Sequence, residues 1–294
     1  MSSENDTTTI LVTGANGQLA NEIKTISVHY PSYQFLFTTK EDLPIDNTGA
    51  LKLFFNKHQI DYCINCAAYT AVDKAESDKE EAFLINATAA GELANICHTH
   101  QTKLIHISTD YVYDGSKPIA LKEEDAVAPL NVYGWSKLKG EELAFHKNPS
   151  SLIIRTSWVY SSFGNNFVKT MLRLFKEKEE INVIADQYGS PTYAADLAGV
   201  IISFIERMEQ GETFSGIVNY CNSGVTTWYE FAEAIKQIVN SNCKINPIPT
   251  SSYKTAAKRP LHSILDTSKI KGLLHPEIPS WRESLRKCLR ILNI

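Results

Sequence analysis

The sequence predicts an α/β protein: a doubly wound parallel sheet with a smaller mixed α/β lobe attached. Three observations predict it. Short β-rich runs alternate with helical stretches over the first half of the chain. Several of those runs are apolar almost throughout, as in strands covered on both faces. A glycine-containing turn joins the first run directly to the first helical stretch.

The elements follow in order. Residues 9–13 (Thr-Ile-Leu-Val-Thr) read as the first strand, and a helical pattern runs on through residue 26. Residues 34–38 are a second β-rich run, 48–58 a helix and 62–67 a strand. Helical periodicity spans 79–100, strand 103–108 (Lys-Leu-Ile-His-Ile-Ser) follows, then helix 132–145 and strand 152–156. After Trp158 the pattern changes. Helix 165–178 and strand 181–185 precede a loop over 186–192 that carries Gly189 and Pro191. Helix 194–208, strand 216–221 and helix 227–239 complete the regular part. The remainder, with Pro247, Pro249, Pro260, Pro276 and Pro279, reads as short irregular elements. The expected division is a core over 9–158 to which 192–222 returns, a smaller lobe over 159–191 and 223–294, and a flexible start over 1–8.

Composition narrows the function. The 294 residues hold 29 basic and 33 acidic side chains, a formal charge of -4, with no basic block to attract nucleic acid. No apolar run approaches the roughly 20 residues that span a bilayer. The start, residues 1–6, is polar and lacks a signal stretch, so the cytoplasm is expected. Six cysteines do not make a disulfide scaffold in a chain of this length. Cys63 and Cys66 form a C-x-x-C on an apolar strand, where residues three apart face opposite ways and converge poorly on a metal.

The first turn is Gly14-Ala15-Asn16-Gly17-Gln18-Leu19-Ala20. At a strand-to-helix junction its backbone N–H groups and the helix dipole favour a pyrophosphate. Glycine at 14 permits the turn, and glycine at 17 allows close approach of the ligand. The spacing is G-x-x-G-x-x-A, and its position makes the core a Rossmann-type dinucleotide site. The second strand ends Thr38-Thr39-Lys40 without a carboxylate for a ribose 2′-hydroxyl. Those residues suit a 2′-phosphate, which favours NADPH, with NADH as the alternative.

Tyr133 and Lys137 lie at i and i+4, on one face of a helix. An adjacent ammonium favours the phenolate and lowers the tyrosine pKa, which suits proton donation to a developing alkoxide. Ser108-Thr109-Asp110-Tyr111 ends a buried strand, where ligands of open α/β sheets bind. His106 in mid-strand, Trp228 and Trp281 read as core residues. The acidic run 76–81 reads as a solvated helix start.

The glycine turn with Tyr133-x-x-x-Lys137 resembles the extended short-chain dehydrogenase/reductases. Longer strings resemble the dTDP-4-dehydrorhamnose reductase family within them. These are 65–76 (Asn-Cys-Ala-Ala-Tyr-Thr-Ala-Val-Asp-Lys-Ala-Glu), 108–115, 129–134, 155–160, 164–171, 186–192 and Arg259-Pro260. The resemblance covers almost everything after Thr9. Family members commonly carry glycine where Ala20 stands and aspartate where Pro44 stands.

The resemblance implies reduction of the C4 keto group of dTDP-4-dehydro-β-L-rhamnose to dTDP-β-L-rhamnose, the last step of dTDP-rhamnose synthesis. It implies Thr109, Tyr133 and Lys137 as the catalytic residues. Gly14, Asn16, Gly17, Gln18, Leu19, Thr38, Lys40, Ile45, Ala67, Ala68, Tyr69 and Thr70 would accompany Tyr133 and Lys137 along the cofactor. Val72, Thr109, Asp110, Tyr111, Trp158 and Asn166 would meet the nucleotide sugar. No required metal is expected: Glu22 stands alone, and His98 and His100 diverge on a helix. A homodimer is left open. Another nucleotide-sugar reductase or an epimerase would carry the same motifs, and a non-catalytic regulatory subunit would keep the fold alone.

Overall fold

The computed structural model describes residues 7–293. The flexible start expected over 1–8 thus falls outside the described residues for 1–6, and Thr8 already belongs to a strand. The central sheet is built from β1 (Thr8–Thr13), β2 (Tyr33–Thr38), β3 (Tyr62–Asn65), β4 (Lys103–Thr109), β5 (Leu152–Thr156) and, later in the chain, the strand Gly216–Tyr220. Its six strands are parallel, in the order Gly216–Tyr220, β5, β4, β3, β1, β2.

Alternation along buried strands decides which helix covers which face. Ile10, Val12, Ile64, Ile105, Ile154 and Val218 face one cluster, and Leu11, Cys63, Leu104 and Ile153 face the other. The first cluster is covered by α1 (Gln18–Ser27), through Leu19, Ala20 and Ile23, and by the long helix Ala194–Glu209, through Leu197, Ile201 and Ile205. The second is covered by α2 (Thr48–Lys57), through Leu51 and Phe55, with Leu93 and Ala144 from two later helices. Burying each such aliphatic side chain contributes about 1.5–3 kcal/mol, so a one-residue slip of any strand would be costly. Ala20 is fully buried where α1 packs, so the methyl is accommodated. Cys63 and Cys66 pack in opposite clusters.

The helical stretch predicted as one piece over 79–100 is three. After the short α3 (Val72–Ala75) come α4 (Lys79–Phe83), a π-helical turn over Leu84–Ala89 and α5 (Ala90–Thr99). The wide turn sets the Asn86 side chain against the neighbouring loop. Its amide accepts from Tyr69 N at 2.8 Å, and donates to Tyr69 O at 2.9 Å and to Ser136 Oγ at 2.9 Å. It also brings the Asn86 carbonyl against α6 (Val132–Lys147), where a Cβ at Gly140 would lie 2.0 Å from that oxygen. Helix α6 runs two residues past the predicted end. Asn131 caps it, accepting from Gly134 N at 2.8 Å, and Glu76 Oε1 accepts from Val132 N at 2.9 Å.

The smaller lobe packs α7 (Phe167–Glu177), the helix Trp228–Ile238 and the helix Trp281–Ile291 around Tyr160, Val168, Phe231, Ile235, Leu285 and Leu289. A parallel pair, Glu180–Ile184 with Lys244–Ile248, lies on its outer side. The predicted 186–192 loop contains a short strand, Tyr188–Gly189, bridging Thr226–Thr227 and His262–Ser263. The last helix is a correction to the irregular tail expected from the prolines. Ser280 and Glu283 form a reciprocal capping box, and Trp281, Leu285, Cys288 and Leu289 make its buried stripe. No described helix is long and apolar enough to cross a membrane.

Candidate active site

From β1 the chain crosses to β2 on one side and returns to β3 on the other, so the strand order reverses beside β1. Ligands of such sheets bind beyond the carboxyl ends of the strands at that point. A cleft of about 820 Å³ opens there, and strand order dictates its layout. Lys40 follows β2, Gly14 to Leu19 follow β1, Ala67 to Thr70 follow β3, Thr109 to Tyr111 end β4, and Trp158 follows β5.

At the β1 end the chain must turn sharply. Gly14 adopts φ +69°, and a Cβ there would meet Ala67 Cα and N at 2.8 Å. Gly17 caps α1 without any side-chain acceptor, so the first helical N–H groups face the cleft. Asn21 fastens the turn from behind, donating to Ala15 O at 3.1 Å and Gly17 O at 2.8 Å. This bare helix N-terminus under two glycines fits a dinucleotide pyrophosphate.

In the middle, α6 brings Tyr133 and Lys137 to the end of β4. The Lys137 ammonium is buried and donates to Ile107 O at 2.7 Å. Burial lowers its pKa to about 8, partly offset by the Glu141 carboxylate one turn on. Tyr133 stands edge-on to Tyr111, with ring centroids 5.8 Å apart. Its phenol is pushed up to about 12 by burial, with the Thr109 hydroxyl pulling down and the Asp110 carboxyl pushing up. This corrects the expected lowering: desolvation dominates, and the Lys137 ammonium is engaged on the β4 backbone instead. Thr109 donates to Asp110 Oδ1 at 3.0 Å and accepts from Tyr111 N at 3.2 Å. The buried Asp110 carboxyl is raised to about 7, mainly by desolvation. Among the described residues its Oδ2 has no partner.

A buried ion pair supports this wall. Arg155 donates to both Glu141 oxygens, at 2.9 and 2.6 Å, and to Tyr113 Oη at 2.7 Å, while Ser108 donates to Glu141 Oε1. Beneath Lys137, His106 Nδ1 lies 3.0 Å from Asn65 Nδ2, and Asn65 Oδ1 accepts from Thr13 at 2.7 Å. His106 is therefore a core residue with one nitrogen engaged. Nε2 has no partner among the described residues, and burial holds the ring pKa well below its usual value.

At the far end Trp158 has a left-handed backbone, φ +49°. Its ring stacks on Trp228 at 3.6 Å between centroids and 9° between planes. Gly189 leaves room for it: a Cβ there would lie 2.6 Å from Trp158 Cε2. Trp228, expected in the core, is partly buried: it packs against the core of the smaller lobe and also lines the cleft, because it opens its helix beside Trp158. Trp281 is core as expected.

Gly14, Asn16, Gly17, Gln18, Leu19, Lys40, Ile45, Ala67, Ala68, Tyr69, Thr70 and Val72 all line the cleft. So do Thr109, Asp110, Tyr111, Tyr133, Lys137 and Trp158. Two predicted residues do not join them. Thr38 is buried with its hydroxyl toward Val12 O, 3.5 Å away. Asn166 caps α7, accepting from Lys169 N at 3.1 Å, and donates to Gln18 Oε1 at 2.9 Å and Ser161 O at 2.8 Å, so its amide is committed to structure. The acidic run is not simply solvated either. Glu76 caps α6, Asp78 pairs with Lys74, and Glu81 reaches Lys40. No sequence signal marks Trp228 or Glu81 as cleft residues, since each arrives on an element packed from elsewhere. Among the described residues no three His, Cys, Asp or Glu side chains come together to hold a metal ion.

Comparison with known proteins identifies relatives over nearly the whole chain. The family described as RmlD substrate binding domain matches residues 8–294. A dTDP-4-dehydrorhamnose reductase of Aggregatibacter actinomycetemcomitans is 39% identical over 284 residues, 94% of this chain and 97% of the relative. A crystal structure of dTDP-4-dehydrorhamnose reductase from Bacillus anthracis in complex with NADP superposes with a TM-score of 0.92 at 37% identity, covering 97% of this chain and 99% of that one. One from Clostridium acetobutylicum gives 0.92 at 37%, covering 97% and 100%.

Proposed function

The chain belongs to the dTDP-4-dehydrorhamnose reductase family, and from that membership and the cleft's layout we propose that it reduces dTDP-4-dehydro-β-L-rhamnose at C4 to dTDP-β-L-rhamnose. NADPH is the proposed reductant, with NADH as the alternative. The observation that carries the reading is the placement of Thr109, Tyr133 and Lys137 on one wall, between the bare start of α1 and the Trp158 end.

A reduced nicotinamide held in the cleft supplies the hydride. The chain's own residues do the rest. Gly14 and Gly17 let the backbone approach the pyrophosphate, and the α1 N–H groups hold it. Ala67 to Thr70 flank the dinucleotide, and Lys137 holds the nicotinamide ribose. Tyr133, protonated at neutral pH because burial holds its pKa near 12, gives its proton to the oxygen formed at C4. The Thr109 hydroxyl turns from Asp110 Oδ1 to donate a hydrogen bond to the same oxygen. The hydride on carbon and the proton on oxygen complete the alcohol, and the phenolate regains a proton from solvent. Asp110, Tyr111, Val72 and Trp158 take the sugar, and the smaller lobe over 159–191 and 223–294 takes the nucleotide part of the substrate. The substrate is a small molecule, and we infer that the enzyme acts in the cytoplasm.

The test is oxidation of NADPH, followed at 340 nm, with freshly generated dTDP-4-dehydro-L-rhamnose. Wild type should consume one cofactor per product. Tyr133→Phe should bind NADPH normally and lose about 10²–10⁴ in turnover, the usual worth of a general acid. Isomerised sugar without net NADPH consumption would instead indicate an epimerase, and protein that binds cofactor but turns over no keto-sugar would indicate the regulatory-subunit reading.

A further inference from the structure

The β2 end of the cleft has an unusual charge balance. Among the described residues that line the cleft, Lys40 and Lys137 are the cations, and Lys137 is buried at the catalytic wall. Three carboxylates, Glu41, Asp46 and Glu81, line the same cleft. Glu81 Oε1 lies 3.6 Å from Lys40 Nζ, bridging α4 to the connection after β2. Both side chains remain solvated, at 44% and 68% exposure, so the pair can open to admit a ligand.

The rest of the predicted phosphate cradle is engaged elsewhere. Thr38 points into the fold. Thr39 donates to Asp42 Oδ2 from its N–H at 3.0 Å and from its hydroxyl at 2.8 Å. A 2′-phosphate therefore depends on Lys40, and Lys40 is shared with Glu81. The backbone of α4 holds Glu81 on the cleft side. Glu81 and Ile85 are one turn apart and line the same wall. The π turn that follows is fastened to the loop after β3 by the two Asn86–Tyr69 hydrogen bonds.

We infer that Glu81 sets the preference between NADPH and NADH by partly neutralising Lys40 at the adenosine end of the cleft. The inference rests on the reading that a nicotinamide dinucleotide occupies this cleft. With NADPH, the dianionic 2′-phosphate competes with the Glu81 carboxylate for one ammonium and is repelled by it. With NADH, the ribose hydroxyls present no charge, and the carboxylates accept from them. Glu81 therefore costs NADPH affinity that NADH keeps. At separations of several ångström in a water-like dielectric, removing one carboxylate charge beside a dianion is worth about three- to tenfold in binding. Glu81→Gln should raise the NADPH-to-NADH ratio by that factor, and Lys40→Gln should lower it.

The experiment measures dissociation constants for both reduced dinucleotides by quenching of tryptophan fluorescence, and kcat/KM for both. Wild type, Glu81→Gln, Lys40→Gln and the double variant are compared at about 50 mM and about 500 mM salt, where screening differs severalfold. The expected result is a rise of about three- to tenfold in the NADPH-to-NADH ratio for Glu81→Gln at low salt, in both readouts, shrinking at high salt. In the Lys40→Gln background the same change should have a smaller effect. A Glu81→Gln ratio within about twofold of wild type at low salt, with both cofactors still bound, would overturn the role of Glu81 alone. Wild type that binds neither dinucleotide would overturn this role together with the reading beneath it.

Discussion

Replacing Gly14 by alanine tests the cofactor cradle where its geometry is tightest. The position has φ +69°, and an alanine held there costs roughly 1–2 kcal/mol. The added Cβ would lie 2.8 Å from both Cα and N of Ala67, against an ordinary carbon contact of about 3.5–4 Å. Neither side can yield cheaply. Thr13 and Asn65 are register partners on β1 and β3, and Ala67 N sits over the Thr13 and Asn65 side-chain oxygens at 3.4 and 3.3 Å. Overpacking of this kind adds about 1–3 kcal/mol. The total, about 2–5 kcal/mol, is a large part of a typical folding free energy. Because the displaced atoms belong to the turn proposed to hold the pyrophosphate, NADPH affinity should fall at least about 100-fold. Urea unfolding and fluorescence titration measure the two effects. Gly199→Ala is the control: that helical glycine has nothing within 4 Å of its Cβ position, and alanine there should stabilise by about 0.5–1 kcal/mol. A Gly14→Ala protein within about 0.5 kcal/mol of wild type that binds NADPH within about threefold would refute the reasoning.

Asp110 should show itself in stability against pH. Its folded pKa, about 7, lies above the ordinary 3.8, so its contribution is fully present below about pH 4 and is lost as pH rises toward 7. That loss is of order 2–4 kcal/mol, and urea unfolding of Asp110→Asn across pH 4 to 7 should lack this fall. Trp228→Leu should raise KM for the nucleotide sugar about three- to tenfold by freeing Trp158, while cofactor affinity holds. An unchanged near-ultraviolet dichroism spectrum in that variant would contradict the stacked pair. Glu141→Gln leaves the Arg155 guanidinium buried without its counter-charge and should cost about 3–5 kcal/mol in urea unfolding. The double variant Glu141→Met with Arg155→Met should recover most of that loss, and a double variant as unstable as the single one would count against the ion-pair account.

Much of this protein was legible in its sequence because the signals are local. Apolar runs of five or six residues mark the strands, and the turn at Gly14 lies at the first junction. Tyr133 and Lys137 share a helix face through a spacing of four. The last helix was missed, because the prolines before it suggested irregularity, although Ser280, Glu283 and the Trp281–Leu285–Cys288–Leu289 stripe signal it. Asn86 was not legible: helical periodicity over 79–100 does not reveal the widened turn over Leu84–Ala89 that turns its amide onto Tyr69.

The sequence by itself determined the parallel sheet, the order of its elements and the pairing of Tyr133 with Lys137 on one helix face, since each depends on residues within a few positions of one another. Tertiary structure alone decided which side chains reach the cleft. Thr38 and Asn166 turned away because a strand neighbour and a helix start offered their polar groups closer partners. Trp228 and Glu81 entered because packed helices carried them to the two ends of the cleft. It also decided the direction of the pKa shifts: the Tyr133 phenol is raised and the Lys137 ammonium lowered by desolvation, which depends on how tightly distant segments close over them.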